Sequence, residues 1–335
     1  AAREAGRRMK NPEPRVIDEA MARELLPRRA ANAHKWDVGG VVIVAGSPAY
    51  PGAAVLASRA AGRAGAGIVL LATSRGVIGS VTSAIPEVAF VPLPETESSS
   101  GARRAAELIR EKAERAKSVV IGPGLGDDDA ASNLLGAMFG FGARSQAARS
   151  PMGFGSVQPG PVPESTASDS ILNGTEGGIV VDADALGWLA TQESWWEQIP
   201  PNRLVLTPHP GEMSRLLDRP IDEIVADPAS VAREAAATWK QVVVLKGERT
   251  VVSDGEQVFT AAEASPALAT AGSGDVLAGT IGALLAQTGR GVDAATLAVY
   301  LGPLAANAMA ARFGVQGVIA TDLPDAIAGE FARFA

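Results

Sequence analysis

Residues 41–73 read VVIVAGSPAYPGAAVLASRAAGRAGAGIVLLAT. From Val41 to Ala45 every residue is apolar, the pattern of a strand covered on both faces. A Pro51-Gly52 turn then opens a helix over 53–66 whose small side chains (Ala57, Ser58, Ala60, Ala61, Ala64) suit close packing. Residues 68–73, IVLLAT, repeat the buried-strand pattern. Strand, helix and strand in so short a span make a βαβ unit, which sets two strands parallel.

The alternation continues outward from that unit. A strand near 87–91 precedes a charged helix, 101–116, and then SVVIGPGLG (118–126). GGIVVDADAL (177–186) and LVLTPHPGE (204–212) each begin as strands, and a helical stretch covers 221–239. Residues 242–261 read strand, turn, strand, turn, strand, and helices are expected over 275–287, 293–312 and 324–334. The expected fold is α/β: a mainly parallel central sheet flanked by helices on both faces, with an antiparallel hairpin edge at 242–261. Two segments stand outside the pattern. Residues 1–35 are Arg-rich and broken by Pro12, Pro14 and Pro27, reading as a linker with one helix from Asp18 to Leu26. Residues 136–176 are rich in Gly, Ser and Pro with no period, reading as a flexible insertion. There is no internal repeat and no second core, so 36–335 is read as one domain.

Composition narrows the chemistry. The 335 residues are 47% hydrophobic and 20% charged, enough to bury a sizeable core. Net charge is −7 and the cations are scattered except near the start, which argues against nucleic-acid binding. With no Cys, disulfides, thiolate catalysis and Cys-ligated zinc are excluded. His34 and His209 are the only imidazoles, so a His-rich metal site is excluded too. No apolar run in the sequence approaches the length of a membrane span, and the N-terminus lacks a signal-peptide apolar core. A cytoplasmic enzyme is the expectation.

The sharpest chemical signal is LATAGSGDVLAGTIGALLAQ, 268–287. Gly272, Ser273 and Gly274 precede a helix whose buried stripe would be Leu277, Ile281, Leu284 and Leu285. Backbone N–H groups there would approach an anion closely, with the helix dipole favouring negative charge. Asp275 is either an ordinary helix cap or, beside a bound phosphate, a base for an attacking hydroxyl. Capping does not explain the glycines.

Four weaker signals accompany it. The turn Gly122-Pro123-Gly124-Leu125-Gly126 follows a strand, fits neither the dinucleotide fingerprint nor a Walker A loop, and is equally a tight turn. Thr207-Pro208-His209-Pro210-Gly211-Glu212 holds His209 in a Pro-stiffened turn, suited to touching a ligand. Glu212 there caps the next helix or helps hold a metal–phosphate complex. Lys246-Gly247-Glu248-Arg249-Thr250 is a charged hairpin turn or a lysine reaching a nucleotide phosphate. Pro51 to Ala54 open the small-residue helix, and its first turn could face a flat substrate.

In order and spacing, these segments resemble the NAD(P)H-hydrate dehydratase family of the ribokinase-like superfamily. The likeness runs from His34-Lys35 to the C-terminus outside 136–176, through VVIVAGS with PGAA, RAGAGIVLLAT, IGPGLG, VVDADAL, LTPHPGE, LKGERTVV and LATAGSGDVLAGTIGALLAQ. It implies a lyase of metabolite repair, restoring NADH and NADPH whose dihydropyridine ring has been hydrated. Asp275 would deprotonate the ring hydroxyl, which attacks the terminal phosphoryl group of ADP (or ATP), and elimination of phosphate would restore the ring. With ADP the products would be NAD(P)H, AMP and phosphate. Ala53, Gly126, His209 and Asp275 match positions contacting the hydrated cofactor. Lys246, Gly247, Glu248, Arg249, Thr250 and Gly274 match positions contacting the adenine nucleotide, with Mg2+ on its phosphates, and Gly272 to Gly274 form the anion hole. No protein metal ligand is assigned. Many relatives carry two adjacent glycines before the Ser/Thr of this loop, where this chain has Ala271 and Gly272; the later N–H groups stay free. The resemblance also implies a homo-oligomer and an epimerase acting on the same hydrate, as a domain or a partner. The start at Ala1 suggests the C-terminal half of such a protein or a stand-alone version. A ribokinase-like small-molecule kinase of the hydroxymethylpyrimidine or hydroxyethylthiazole type would share Asp275 and its loop. It has no special use for the His209 and GPGLG turns together. A nucleotide sensor would bind ADP without needing Asp275.

Overall fold

The computed structural model describes residues 13–141, 170–175 and 177–334. Its strands are β1 (Arg15–Ile17), β2 (Gly40–Val44), β3 (Ile68–Ser74), β4 (Ala89–Leu93), β5 (Ser118–Ile121), β6 (Gly178–Val181), β7 (Leu204–Leu206), β8 (Val242–Leu245), β9 (Val251–Ser253) and β10 (Val258–Ala261). They form one sheet in the order β1-β10-β9-β8-β7-β6-β5-β2-β3-β4. From β4 through β8 every pairing is parallel, and β8-β9 and β9-β10 are antiparallel. The strand order reverses between β2 and β5, and in such sheets a crevice opens there beyond the carboxyl ends.

Helices cover both faces. They are α1 (Glu19–Leu25), α2 (Lys35–Val38), α3 (Pro51–Arg63), α4 (Arg75–Ala84), α5 (Ser99–Ala113), α6 (Asp129–Phe139), α7 (Asp184–Leu189), α8 (Pro210–Leu217), α9 (Ile221–Ala226), α10 (Pro228–Trp239), α11 (Ser273–Thr288), α12 (Gly291–Phe313) and α13 (Leu323–Phe334). Alternate β2 side chains divide between two cores. Val41 and Ile43 pack with α3, α11, α12 and α13, while Val42 and Val44 pack with α5, α6, α7 and α10. That split follows from the period of two along a strand.

The helix α11 is enclosed, not amphipathic. Of the expected stripe, Ile281, Leu284 and Leu285 are buried and Leu277 is partly so, but Ala278, Gly279, Thr280, Gly282 and Ala283 are buried as well. A Cβ at Gly279 would overlap the Ala57 carbonyl of α3, and one at Gly282 would overlap Val120 of β5. Small residues therefore let α11 press on a helix and the sheet together. Next to it, α12 has the length and hydropathy of a membrane span, contrary to the expectation of no such run. Its residues from Val292 to Leu301 are mostly buried in the fold, so the apolarity is that of a core helix.

Three details differ from the sequence reading. Residues 15–17 form β1, which pairs parallel to β10, so the hairpin does not end the sheet. A three-residue strand has no period to read; its pairing comes from the free edge of β10. Within 136–176, α6 continues to Phe139, and Ile171–Asn173 form a 3₁₀ turn with Ile171 and Leu172 buried. Phe139, Phe141 and Trp188 stack with centroids 5.6–5.7 Å apart. The rest of the expected insertion, 142–169 and 176, lies outside the described residues. The helical stretch 221–239 divides into α9 and α10, because Pro228 cannot continue a preceding helix.

Candidate active site

Five strand ends meet at the crevice. The Gly46 N–H donates to the Pro123 carbonyl (2.9 Å) and the Gly122 N–H to the Val44 carbonyl (3.2 Å), tying the turns after β2 and β5 together. Gly122 has φ 124°, and a Cβ there would overlap the Asp182 carbonyl, so only glycine lets this turn lie on the one after β6. A Cβ at Gly124 would stand 2.7 Å from that of Ala53. The GPGLG turn and the first turn of α3 are thus in contact, bringing Ala53 beside the turn that holds Gly126. The Gly126 N–H donates to Asp184 Oδ2 at 2.8 Å.

The polar centre is Asp182, 1% exposed directly after β6. Its Oδ1 accepts from the Thr207 hydroxyl (2.7 Å) and from Lys246 Nζ (2.9 Å). Lys246 Nζ is also 3.7 Å from Glu212 Oε2. Burial works against the charge on Lys246, but the Asp182 and Glu212 carboxylates outweigh it and raise its pKa. Glu212 is held protonated more readily than usual by burial, with Lys246 opposing. His209 Nδ1 accepts from the Gly211 and Glu212 N–H groups, and Glu212 Oε2 accepts from the His209 N–H (2.8 Å). This reciprocal cap opens α8. Glu212 is therefore a cap, and it also stands over Lys246. Burial, then Lys246 and Arg215, lower the His209 pKa; a neutral ring with Nδ1 accepting carries its proton on Nε2.

The start of α11 faces this centre. Gly272, at φ 91°, turns the chain into the helix, with Asp275 in the first turn making no capping bond. The pKa of Asp275 is raised to about 7, by burial first and then by the Asp182 carboxylate, with Lys246 opposing and Asp184 adding to the rise. A cap would be held ionised; this carboxyl is poised to exchange a proton near neutrality. A Cβ at Gly274 would lie 3.4 Å from Lys246 Nζ and 3.9 Å from Asp182 Oδ2. The Ser273 hydroxyl is committed to the Leu268 carbonyl (2.8 Å) and its N–H donates to the Thr270 carbonyl (3.3 Å), so of the expected anion hole the Gly274 N–H is the one best placed to meet an anion.

Lys246, Gly247, Thr250, Ser273 and Gly274 open onto one pocket of about 150 Å³, walled by α11, α12 and α13. Glu248 and Arg249 are exposed at the hairpin tip and do not line it. Asp182 and Asp184 were missed as functional residues in the sequence. Their signal was available: two carboxylates flank one residue directly after a buried strand. That residue, Ala183, has φ 50° and ψ −120°, a strained combination for any side chain.

Asp182, Asp184, Glu212 and Asp275 outnumber Lys246, so the site is acidic. Among the described residues no group of three His, Asp or Glu side chains is arranged to hold a metal. This donor set fits Mg2+ that keeps its waters and is carried on nucleotide phosphates, not one held in a protein cage.

The family model described as NAD(P)H-hydrate dehydratase matches residues 41–143 and 153–328. The chain belongs to that family. It is 36% identical over 315 residues to the bifunctional NAD(P)H-hydrate repair enzyme Nnr of Moorella thermoacetica, covering 93% of this chain and 52% of that protein. This member of the family thus spans about half the length of the curated relatives it matches. The ADP/ATP-dependent NAD(P)H-hydrate dehydratase of Bacillus subtilis, co-crystallised with ATP and Mg2+, superposes with a TM-score of 0.74 at 25% identity. That match covers 97% of this chain and all of the other. A ribokinase-like superfamily protein of Enterococcus faecalis superposes with a TM-score of 0.72 at 23% identity, covering 96% of each chain, and so shares the fold.

Proposed function

We propose that this chain dehydrates hydrated NADH and NADPH, using an adenine nucleotide as phosphoryl donor. The observation that carries the reading is Asp275, half-buried in the first turn of α11 with a pKa of about 7 and no capping bond. Its carboxylate takes the proton from the ring hydroxyl, and the freed oxygen attacks the terminal phosphoryl group. Lys246 and the N–H group of Gly274 stabilise the charge on that group as it transfers. Phosphate then leaves with the ring oxygen, a proton is lost from the neighbouring ring carbon, and the double bond returns. Mg2+ on the nucleotide phosphates supplies charge neutralisation. Ala53, Gly126 and His209 contact the hydrated cofactor; Lys246 to Thr250 and Gly274 contact the nucleotide, Glu248 and Arg249 through their backbone at the hairpin tip. The juxtaposition of Gly124 with Ala53 and the half-exposure of the His209 ring support the first set.

The reading includes an epimerase working beside this chain, as a domain or a partner, since the curated relatives are named bifunctional. It also includes a cytoplasmic setting, where reduced nicotinamide cofactors are used. The test is incubation with hydrated NADH, Mg2+ and either ADP or ATP. Return of dihydronicotinamide absorbance with stoichiometric phosphate is expected, faster with ADP. Accumulation of a phosphorylated product without restored absorbance would point to a kinase instead.

A further inference from the structure

Restoring the ring double bond releases two protons, and Asp275 accounts for one. Having taken the hydroxyl proton, it is protonated when the phosphate leaves. The second proton comes from the ring carbon beside the one that bore the hydroxyl. The groups around Lys246 differ in what their lone pairs already do. Asp182 is 1% exposed, and its Oδ1 holds both the Thr207 hydroxyl and Lys246 Nζ. Glu212 is buried, with Oε2 on the His209 N–H and facing Lys246. The neutral His209 ring accepts two backbone N–H groups at Nδ1 and carries its proton on Nε2, so it has no lone pair to offer.

Asp184, in the first turn of α7, is placed differently from all three. Its Oδ2 accepts the Gly126 N–H at 2.8 Å, and it makes no other side-chain hydrogen bond or ion pair among the described residues, so Oδ1 is uncommitted. The residue is partly exposed, and a Cβ at Gly126 would meet no atom within 4 Å, so the space beside this bonded pair is open. The strained backbone of Ala183 sends the two flanking carboxylates to different partners, Asp182 to Lys246 and Asp184 to the Gly126 turn. Asp184 is also near enough to Asp275 for its charge to raise the pKa of that carboxyl.

We propose that Asp184 is a second base of the reaction, taking the proton from the ring carbon once phosphate has gone. The inference rests on the dehydratase reading above. Phosphate departs with the electron pair of the C–O bond, and the ring nitrogen shares its own pair to leave an iminium cation. Asp184 Oδ1 then takes the proton, the C–H pair becomes the C=C bond, and the nitrogen recovers its pair. The protonated Asp184 returns its proton to solvent. A carboxylate suits both halves of this step, because its charge stabilises the cation before it removes the proton. Without the base, water adds to the cation and regenerates the hydrate with loss of a proton, so nucleotide is consumed and no NADH appears.

The experiment counts AMP and NADH formed from hydrated NADH, ADP and Mg2+ by the full chain, over a control without the hydrate. Wild type is expected to give one AMP per NADH. In Asp184→Asn, whose amide oxygen can still accept from Gly126, NADH formation should fall about a hundredfold or more. AMP should fall less, so that the ratio of AMP to NADH rises to about ten or more. Asp184→Glu keeps a carboxylate displaced by one methylene and should give an intermediate ratio. It carries the test if titration with ADP shows that Asp184→Asn has not folded. A ratio of one in every folded variant, whether or not the rates fall, would overturn the proposal and leave the dehydratase reading standing. Wild type that forms neither AMP nor NADH would remove that reading and this inference together.

Discussion

Asp182 and Asp275 share one cation: Lys246 bonds the first at 2.9 Å and lowers the pKa of the second, which the Asp182 carboxylate raises. The proton affinity of Asp275 is therefore set partly by a residue on another element, at the end of β6. In wild type, kcat/KM should rise with pH to a plateau above an apparent pKa of about 7, because the proposed role of Asp275 as base requires its ionised form.

Asp182→Asn should move that acidic limb to lower pH. Removing the neighbouring negative charge makes Asp275 easier to ionise, and the movement is partial because burial is the larger cause. A pH profile of kcat/KM for both proteins checks this. An unmoved limb would separate Asp182 from the titration.

Asp275→Asn should lower turnover about a hundredfold to ten-thousandfold and leave ADP binding intact or tighter. It should also change stability in a pH-dependent way. The folded pKa is about 7 against an ordinary 3.8, so stability tied to the protonated acid is complete below about pH 4 and lost as pH rises through 7. The variant should melt above wild type at pH 8, with the gap closing toward pH 4. Near-normal turnover in the folded, ADP-binding variant would sink the assignment of Asp275 as base.

Ala183, at φ 50° and ψ −120° between Asp182 and Asp184, carries strain of the order of 1–3 kcal/mol. Ala183→Gly should relieve part of it and raise the urea midpoint, offset by the extra freedom of glycine in the unfolded chain. Ala183→Val should lower the midpoint, because a β-branched residue tolerates that backbone worse. Equal midpoints for the three proteins would argue against strain at this turn.

Phe139→Ala should destabilise by about 3–5 kcal/mol, since the ring is 2% exposed and stacks on Trp188. At least that loss is expected if residues 136–176 are replaced as a block by a short linker, because Met138, Ile171 and Leu172 leave along with Phe139. A melting temperature unchanged by either would return this stretch to a dispensable insertion.

The sequence determined the strands from β2 to β10 and the Gly-Ser-Gly-Asp helix start on its own, but not the edge strand β1. Runs such as Val41–Ala45 are apolar on every residue, and only strands covered on both faces need that. Positive-φ glycines and a proline-flanked histidine are likewise local requirements, written where they act. What only the tertiary structure decided is the company those residues keep. The pKa of Asp275 depends on Asp182, Lys246 and Asp184, which lie far from it in the chain and come together because α11 begins over the ends of β6 and β8. Burial and Coulomb interaction act through space, so no local pattern encodes them. The same holds for Phe139 and Ile171: a turn of helix and a short 3₁₀ segment in a Gly- and Ser-rich stretch have too few apolar residues to show a period. They are ordered by Trp188 and the core beneath them, which the segment's own sequence does not contain.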